Sequence, residues 1–207
     1  MKQIKFSTDK IMALVDYFNN KIDEIECPKN HAAARALIED VGERFFSAPA
    51  SGRLMYHNCC VGGLLEHSIR VHTIFSDLCE KYHEVESKDD IIIAALFHDI
   101  GKIGTLDQDY YVPKNSKWHE ENMGLYYESN PKLRFMPHAQ RSLQLLGQYE
   151  FNLVNDVYTG ILIHDGQYVD ENKPYKMKEG KFPLLLHMAD RLACEIEKEK
   201  WEELNGI

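Results

Sequence analysis

Long apolar runs are missing from this 207-residue sequence: none approaches the roughly 18 residues that cross a bilayer, so no membrane-spanning helix is expected. The opening MKQIKFSTDK has no apolar stretch of the signal-peptide kind, and the expected location is cytoplasmic. Positive charge is also in short supply. Against 24 Lys and Arg stand 33 Asp and Glu, a net charge of -9. That balance argues against a broad electropositive surface for duplex nucleic acid and still allows a small anion held by a few local cations. The five cysteines (Cys27, Cys59, Cys60, Cys79 and Cys194) are odd in number and contain no CxxC pair. Reduced thiols are expected, not a disulfide frame or a zinc knuckle. Low-complexity tracts and charge blocks are absent too, which excludes disorder, and the length suits one domain.

What the chain does have is helical periodicity. Ile11, Leu14, Val15, Phe18, Ile22 and Ile25 recur at helical spacing, with Asp9 placed to cap them. After the break CPKN, HAAARALIEDVGERFFSAP gives a second helix, so residues 1–50 form a helical extension ahead of a domain at 51–207. A long helix is expected from Asn58 to Tyr82 despite Gly62 and Gly63, whose cost in a helix interior implies a close approach by another helix. Another runs from about Lys88 to Gly101, and three more are expected around PHAQRSLQLLGQY, NLVNDVYTGILIHDG and PLLLHMADRLACEIEKEKWEELN. The aromatic-rich excursion at 105–137 lacks a clean period and should hold one short helix. A small hairpin is expected near GQYVDENKPYKMKEGKF. The fold class is therefore all-α, a non-bundle helical globule.

Chemistry enters in IIIAALFHDIGKIG, Ile91 to Gly104, the most apolar run of the chain, which carries His98, Asp99 and Lys102. A buried Asp without a counter-charge is costly, and a metal ion is the strongest partner for it. The alternative is a helix end satisfied by backbone groups. The same pattern of an ionisable residue cut into an apolar stretch recurs at His67, His138, His164 and Asp190.

In order, His67, His98-Asp99 with Gly101-Lys102, His138, His164 and Asp190 resemble the HD-domain superfamily of metal-dependent phosphohydrolases, in the version with two extra histidines. The likeness spans roughly residues 57 to 195, and YHNCCVGGLLEHS is also similar to HD-domain exoribonucleases that trim RNA from the 3' end. The HHE and GYP elements of cyclic-dinucleotide phosphodiesterases are absent, which argues against that substrate. The resemblance implies an all-helical fold and two divalent cations drawn from Mn, Fe, Ni, Co, Zn and Mg. His67, His98, Asp99 and Asp190 would hold one, and Asp99, His138 and His164 the other. Asp99 would bridge, and the cations would activate water and offset charge on phosphoryl oxygens.

Catalysis is assigned to Asp99 and Lys102, and substrate binding to His57, Lys102 and Arg141. Asp165 is read as a supporting or surface residue, His31, His72 and His83 as structural or surface, and His187 as a core histidine. The partner is a small phosphorylated substrate, a nucleotide or short single-stranded oligonucleotide. A different reaction class fits the same ligands: some HD-fold proteins hold two irons and activate oxygen on a small molecule. A non-catalytic metal-stabilised module is disfavoured, because a structural site has no use for six ligands and a lysine.

Overall fold

The computed structural model describes residues 1–82 and 87–207, so His83 lies outside it. α1 (Thr8–Asp23) begins at Ser7, whose hydroxyl accepts from the Lys10 N–H; Asp9 sits in the first turn instead of capping. α2 (Pro28–Ser47) starts three residues ahead of the expected His31, because Pro28 suits the first helical position, where no N–H is needed. Phe18 and Ile22 from α1 and Leu37, Val41 and Phe45 from α2 are fully buried in the main core. The Phe18 ring lies 5.2 Å from Phe45 and 5.8 Å from Phe97, so the first two helices share one aromatic cluster with the apolar run.

α3 (Gly63–Tyr82) begins later than the sequence suggests, with Gly62 ahead of it and Gly63 as its first residue, so neither glycine is in a helix interior. Gly62 has φ +76°, and a Cβ on Gly63 would lie 2.0 Å from the Asn58 carbonyl oxygen. The close approach is therefore made by the loop's own backbone, not by a neighbouring helix. α4 (Lys88–Phe97) is capped by Ser87 and stops four residues short of Gly101. A kink at His98 and Asp99 leads into a 3-10 turn, Ile100–Ile103.

The 105–137 excursion holds β1 (Tyr111–Pro113), α5 (Lys117–Met123) and β2 (Tyr127–Ser129), with Val112 opposite Glu128 in an antiparallel pair. The hairpin expected at 166–182 is not formed; Asp170–Tyr175 is a 3-10 turn. Buried Asn172 donates to the Gly166 carbonyl at 2.9 Å and pulls that segment inward, leaving no extended stretch to pair. α6 (His138–Gln148), α7 (Asn155–Ile163) and α8 (Lys181–Asn205) complete an all-α fold in which α3 packs along α8 and against α4. The five cysteines are free, and among the described residues no helix is long and apolar enough to cross a membrane.

His72 is buried on α3, away from the other inward histidines, with Nδ1 3.2 Å from the Tyr17 hydroxyl. Burial, with Lys21 adding to it and Glu24 opposing, pushes the imidazole down to about 4. A base depressed on folding stabilises the fold above its unfolded value of about 6.5 and loses that stability as pH falls towards 4. Chemical denaturation of His72→Gln across this window should show a pH slope shallower than wild type by up to one proton, about 1.4 kcal/mol per pH unit. An unchanged slope would show that His72 is not neutral in the folded state.

Candidate metal centre

The kink after α4 does the first work of assembly. Had the helix run on, His98 and Asp99 would diverge by about 100° around it; the turn instead lets both face inward with Lys102. His67 arrives from the first turns of α3, Asp190 from the middle of α8, His138 as the first residue of α6, and His164 at the end of α7. Gly101 is what brings α6 in. A Cβ there would lie 2.1 Å from the His138 carbonyl oxygen and 2.6 Å from the Ser142 nitrogen, so only glycine allows the contact. Ser142 Oγ accepts from the Gly101 N–H at 2.8 Å and ties α6 to the turn.

The six side chains converge. His138 and His164 Nε2 each lie 3.3 Å from Asp99 Oδ1, and His67 and His98 Nε2 each lie 3.6 Å from Oδ2. Asp190 Oδ1 is 3.1 Å from His67 and 3.7 Å from His98. Asp165 joins the other side, 3.2 Å from His138 Nε2, so this exposed residue reaches the cluster after all. Ligand atoms of His67, His98 and Asp190 lie within 4.8 Å of one another, as do those of His98, Asp99 and His164, and those of His138, His164 and Asp165.

The donor set fits cations. His98 Nδ1 lies 2.8 Å from the Ala95 carbonyl and His164 Nδ1 2.7 Å from that of Ile161. A carbonyl only accepts, so each Nδ1 carries the hydrogen and the Nε2 of the neutral ring is a lone pair. At His98 that lone pair faces carboxylate oxygens; at His164, raised by its carboxylate neighbours, a proton stands where a cation would otherwise bind. His98 Nε2 and both Asp99 oxygens are buried without an aligned hydrogen bond, although Lys102 Nζ forms an ion pair with Oδ2 at 2.6 Å. Acceptors that meet acceptors in a dry interior are the arrangement a cation resolves.

Electrostatics agree. Burial pushes the Asp99 carboxyl up, but Lys102 and the imidazoles outweigh it and hold it well below the usual carboxylate range; His67 and His98 do the same for Asp190. Burial opposes charge on His67 and His164, yet their carboxylate neighbours raise them to about 10 and about 9. Half-buried His57 goes the other way, pushed well down by desolvation and by Lys102 and His67.

The remaining assignments scatter. The His57 ring stacks 4.9 Å from that of His67 and lines the cleft that reaches Asp190. Buried Arg141 donates to the Arg134 carbonyl at 3.0 Å, and its Nε has no protein partner. His187 Nδ1 lies 2.8 Å from the His164 carbonyl, so it braces the turn that carries this ligand.

One functional residue escaped the sequence reading. Glu197, fully buried, holds His67 Nδ1 at 3.2 Å with both oxygens and takes Arg70 Nε at 3.2 Å; Arg70 also pairs with Glu66. The available signal was its spacing, two helical turns after Asp190 on the same face of α8.

These observations define a helical domain built to hold metal. The chain matches the family model "HD domain" over residues 64–195 and belongs to that family. Among characterised proteins, it is similar to the dihydroneopterin 2',3'-cyclic phosphate phosphodiesterase of Methanocaldococcus jannaschii, 43% identical over 82 residues. That alignment covers 38% of this chain and 32% of the relative's length. No solved structure matches the chain significantly. The matches speak for the HD family and leave the local likeness to exoribonucleases without support.

A carboxylate behind a histidine ligand fixes its tautomer and raises its basicity, typically to the extent of about 10- to 100-fold in metal affinity. Glu197→Gln should therefore weaken metal binding at His67 by about that factor in a chelator competition, with the circular dichroism spectrum retained. Unaltered affinity would reduce Glu197 to a partner of Arg70 alone.

Proposed function

We propose that this chain is a metal-dependent phosphohydrolase that cleaves a phosphate ester of a nucleotide or short oligonucleotide at a dinuclear site. The observation that carries the reading is the division at Asp99: Oδ1 is shared by His138 and His164, and Oδ2 by His67 and His98, with Asp190 beside the second pair. One carboxylate thus presents an oxygen to each of two ligand sets. Two divalent cations bound there would supply Lewis acidity towards the phosphoryl oxygens and lower the pKa of water. The relative's name, a phosphodiesterase acting on a cyclic phosphate, supports a phosphate ester and adds a pterin to the nucleosides worth testing.

The chain's own residues supply position and charge. Asp99 and Lys102 are the catalytic pair: the first would hold the cations, and the second, 9% exposed and directed at Asp99, brings a fixed positive charge to the phosphate. His57 contacts substrate at the cleft beside Asp190, as a ring held neutral by burial. Arg141, with an unpartnered Nε, contributes a cation behind His138. Hydrolysis forms a bond from water oxygen to phosphorus, breaks the bond to the leaving oxygen and passes a proton to it. His and carboxylate ligands suit Mn, Fe, Ni, Co and Zn, and Mg to a lesser degree.

Anaerobically loaded protein should contain two ions per chain. His138→Ala should keep the fold, lose one ion and lose most turnover, and Asp99→Ala should lose both. Elemental analysis that finds one ion before and after the His138 substitution would remove the second site. Visible absorption by protein purified in air, with no hydrolysis across a panel of nucleotides, short RNA and dihydroneopterin 2',3'-cyclic phosphate, would favour the di-iron oxygenase.

With a net charge of -9, few cations are left to engage phosphates. Substrate affinity should fall gently with salt, whereas a protein neutralising about 6 to 10 phosphates loses roughly 10³ to 10⁵ between about 50 and 200 mM. Mononucleotides should compete with long RNA, and Lys102→Met should weaken phosphate binding without changing metal content. A steep salt slope with tight binding only to long strands would contradict this reading.

A further inference from the structure

Two separate cavities reach the metal centre, and they meet at Asp165. The larger, about 820 Å³, opens on His57 and Asp190, with Tyr56 and Trp201 in its walls. The other, about 430 Å³, opens on His138 and carries Tyr110, Phe135 and Tyr175. Both fall within the roughly 300–1,000 Å³ of small-molecule sites. A phosphate seated over the cluster therefore has organic surface on two sides.

Phe135 is the informative residue. It is 84% exposed, contributes nothing to either core cluster, and stands three residues before His138 in the loop that delivers α6. A large apolar ring with no packing role is unremarkable on an open surface, but this one lines a cavity whose floor is a metal ligand. Tyr110 and Tyr175, both half-buried, supply further ring surface around the same space. Ring-bearing walls that end at the cluster match a planar heterocycle carried on a phosphate, and the carboxylates of the lining, Asp165 and Glu171, can accept from the N–H groups of such a ring.

We propose that the Tyr110–Phe135–Tyr175 cavity binds a planar ring on one substituent of a phosphodiester, with Phe135 as the stacking platform, while the other substituent occupies the larger cavity beside His57. The proposal rests on the phosphohydrolase reading above. It assigns the substrate class as a linear diester: a monoester or a cyclic diester has one organic body and fills a single cavity. Hydrolysis then breaks the bond to one of the two ester oxygens, water oxygen bonds to phosphorus, and the products are a monoester in one cavity and an alcohol in the other.

The test uses the metal-loaded chain, three substrates and two variants. A dinucleoside monophosphate, a 2',3'-cyclic nucleotide and a mononucleotide are compared in wild type, Phe135→Ala and Phe135→Trp. Stacking of one base on an aromatic side chain is worth about 5- to 150-fold in binding. Phe135→Ala should raise KM for the dinucleoside monophosphate by a factor in that range and keep both the metal content and kcat. Phe135→Trp should restore it. Calorimetric titration with a slowly cleaved dinucleoside phosphorothioate should show the same loss in affinity, independently of turnover. Equal kcat/KM for all three substrates, or a Phe135→Ala variant indistinguishable from wild type, would overturn the second subsite and leave the phosphohydrolase reading standing. Turnover of no phosphate ester by the wild-type protein would overturn both.

Discussion

Asp99 carries one negative charge in an interior that gives it almost no water, and four imidazole Nε2 atoms lie within 3.6 Å of its two oxygens. Burying a carboxylate alone costs several kcal/mol, so the arrangement persists only if positive charge is supplied at that point. Lys102 provides part of it, and protonated His67 and His164 provide part, which is why their basicity rises despite complete burial. Divalent cations held there would displace those protons and meet the inward lone pairs. The six candidate ligands come from four helices and the turn after α4, so charge balance at one carboxylate fixes where most of the fold must meet.

Two structural details make that meeting possible. The first is the absence of side chain at Gly101, which lets the His138 carbonyl and the Ser142 amide pack against the 3-10 turn. The second is the layer behind the ligands. Backbone carbonyls of Ala95 and Ile161 orient His98 and His164, whereas the Glu197 carboxyl orients His67 and is itself held by Arg70. The ligand sets are consequently unequal. His67 itself is fully buried and braced by a carboxylate, and its side of the centre is reached through Asp190; the His138 side is more open, with 22% of the His138 side chain and 37% of the Asp165 side chain exposed. Each side of the centre therefore has its own cavity, and the two cavities share Asp165.

The all-helical class and the inward ligands were legible because each rests on a local pattern. Apolar spacing marks a helix whatever packs against it, and a polar residue embedded in an apolar run announces a buried partner. Boundaries were less legible, since they depend on contacts the pattern does not contain. α3 starts at Gly63 because Asn58 folds back on it, α4 stops at Phe97 because Asp99 must turn inward, and the strand pair forms at 111–113 with 127–129 because no alternation is needed for so short a ladder.

By itself, the sequence determined which residue types the site would use and in what order along the chain they occur, because ligand chemistry is a property of single side chains. Only the tertiary structure decided which ligands share an oxygen of Asp99, that Glu197 stands behind His67, that Asp165 reaches His138, and that two cavities rather than one open on the cluster. These are distances between residues far apart in the chain, 123 positions for His67 and Asp190 and 130 for His67 and Glu197. No local periodicity encodes them; they follow from how α3, α6, α7 and α8 pack around the turn at Asp99.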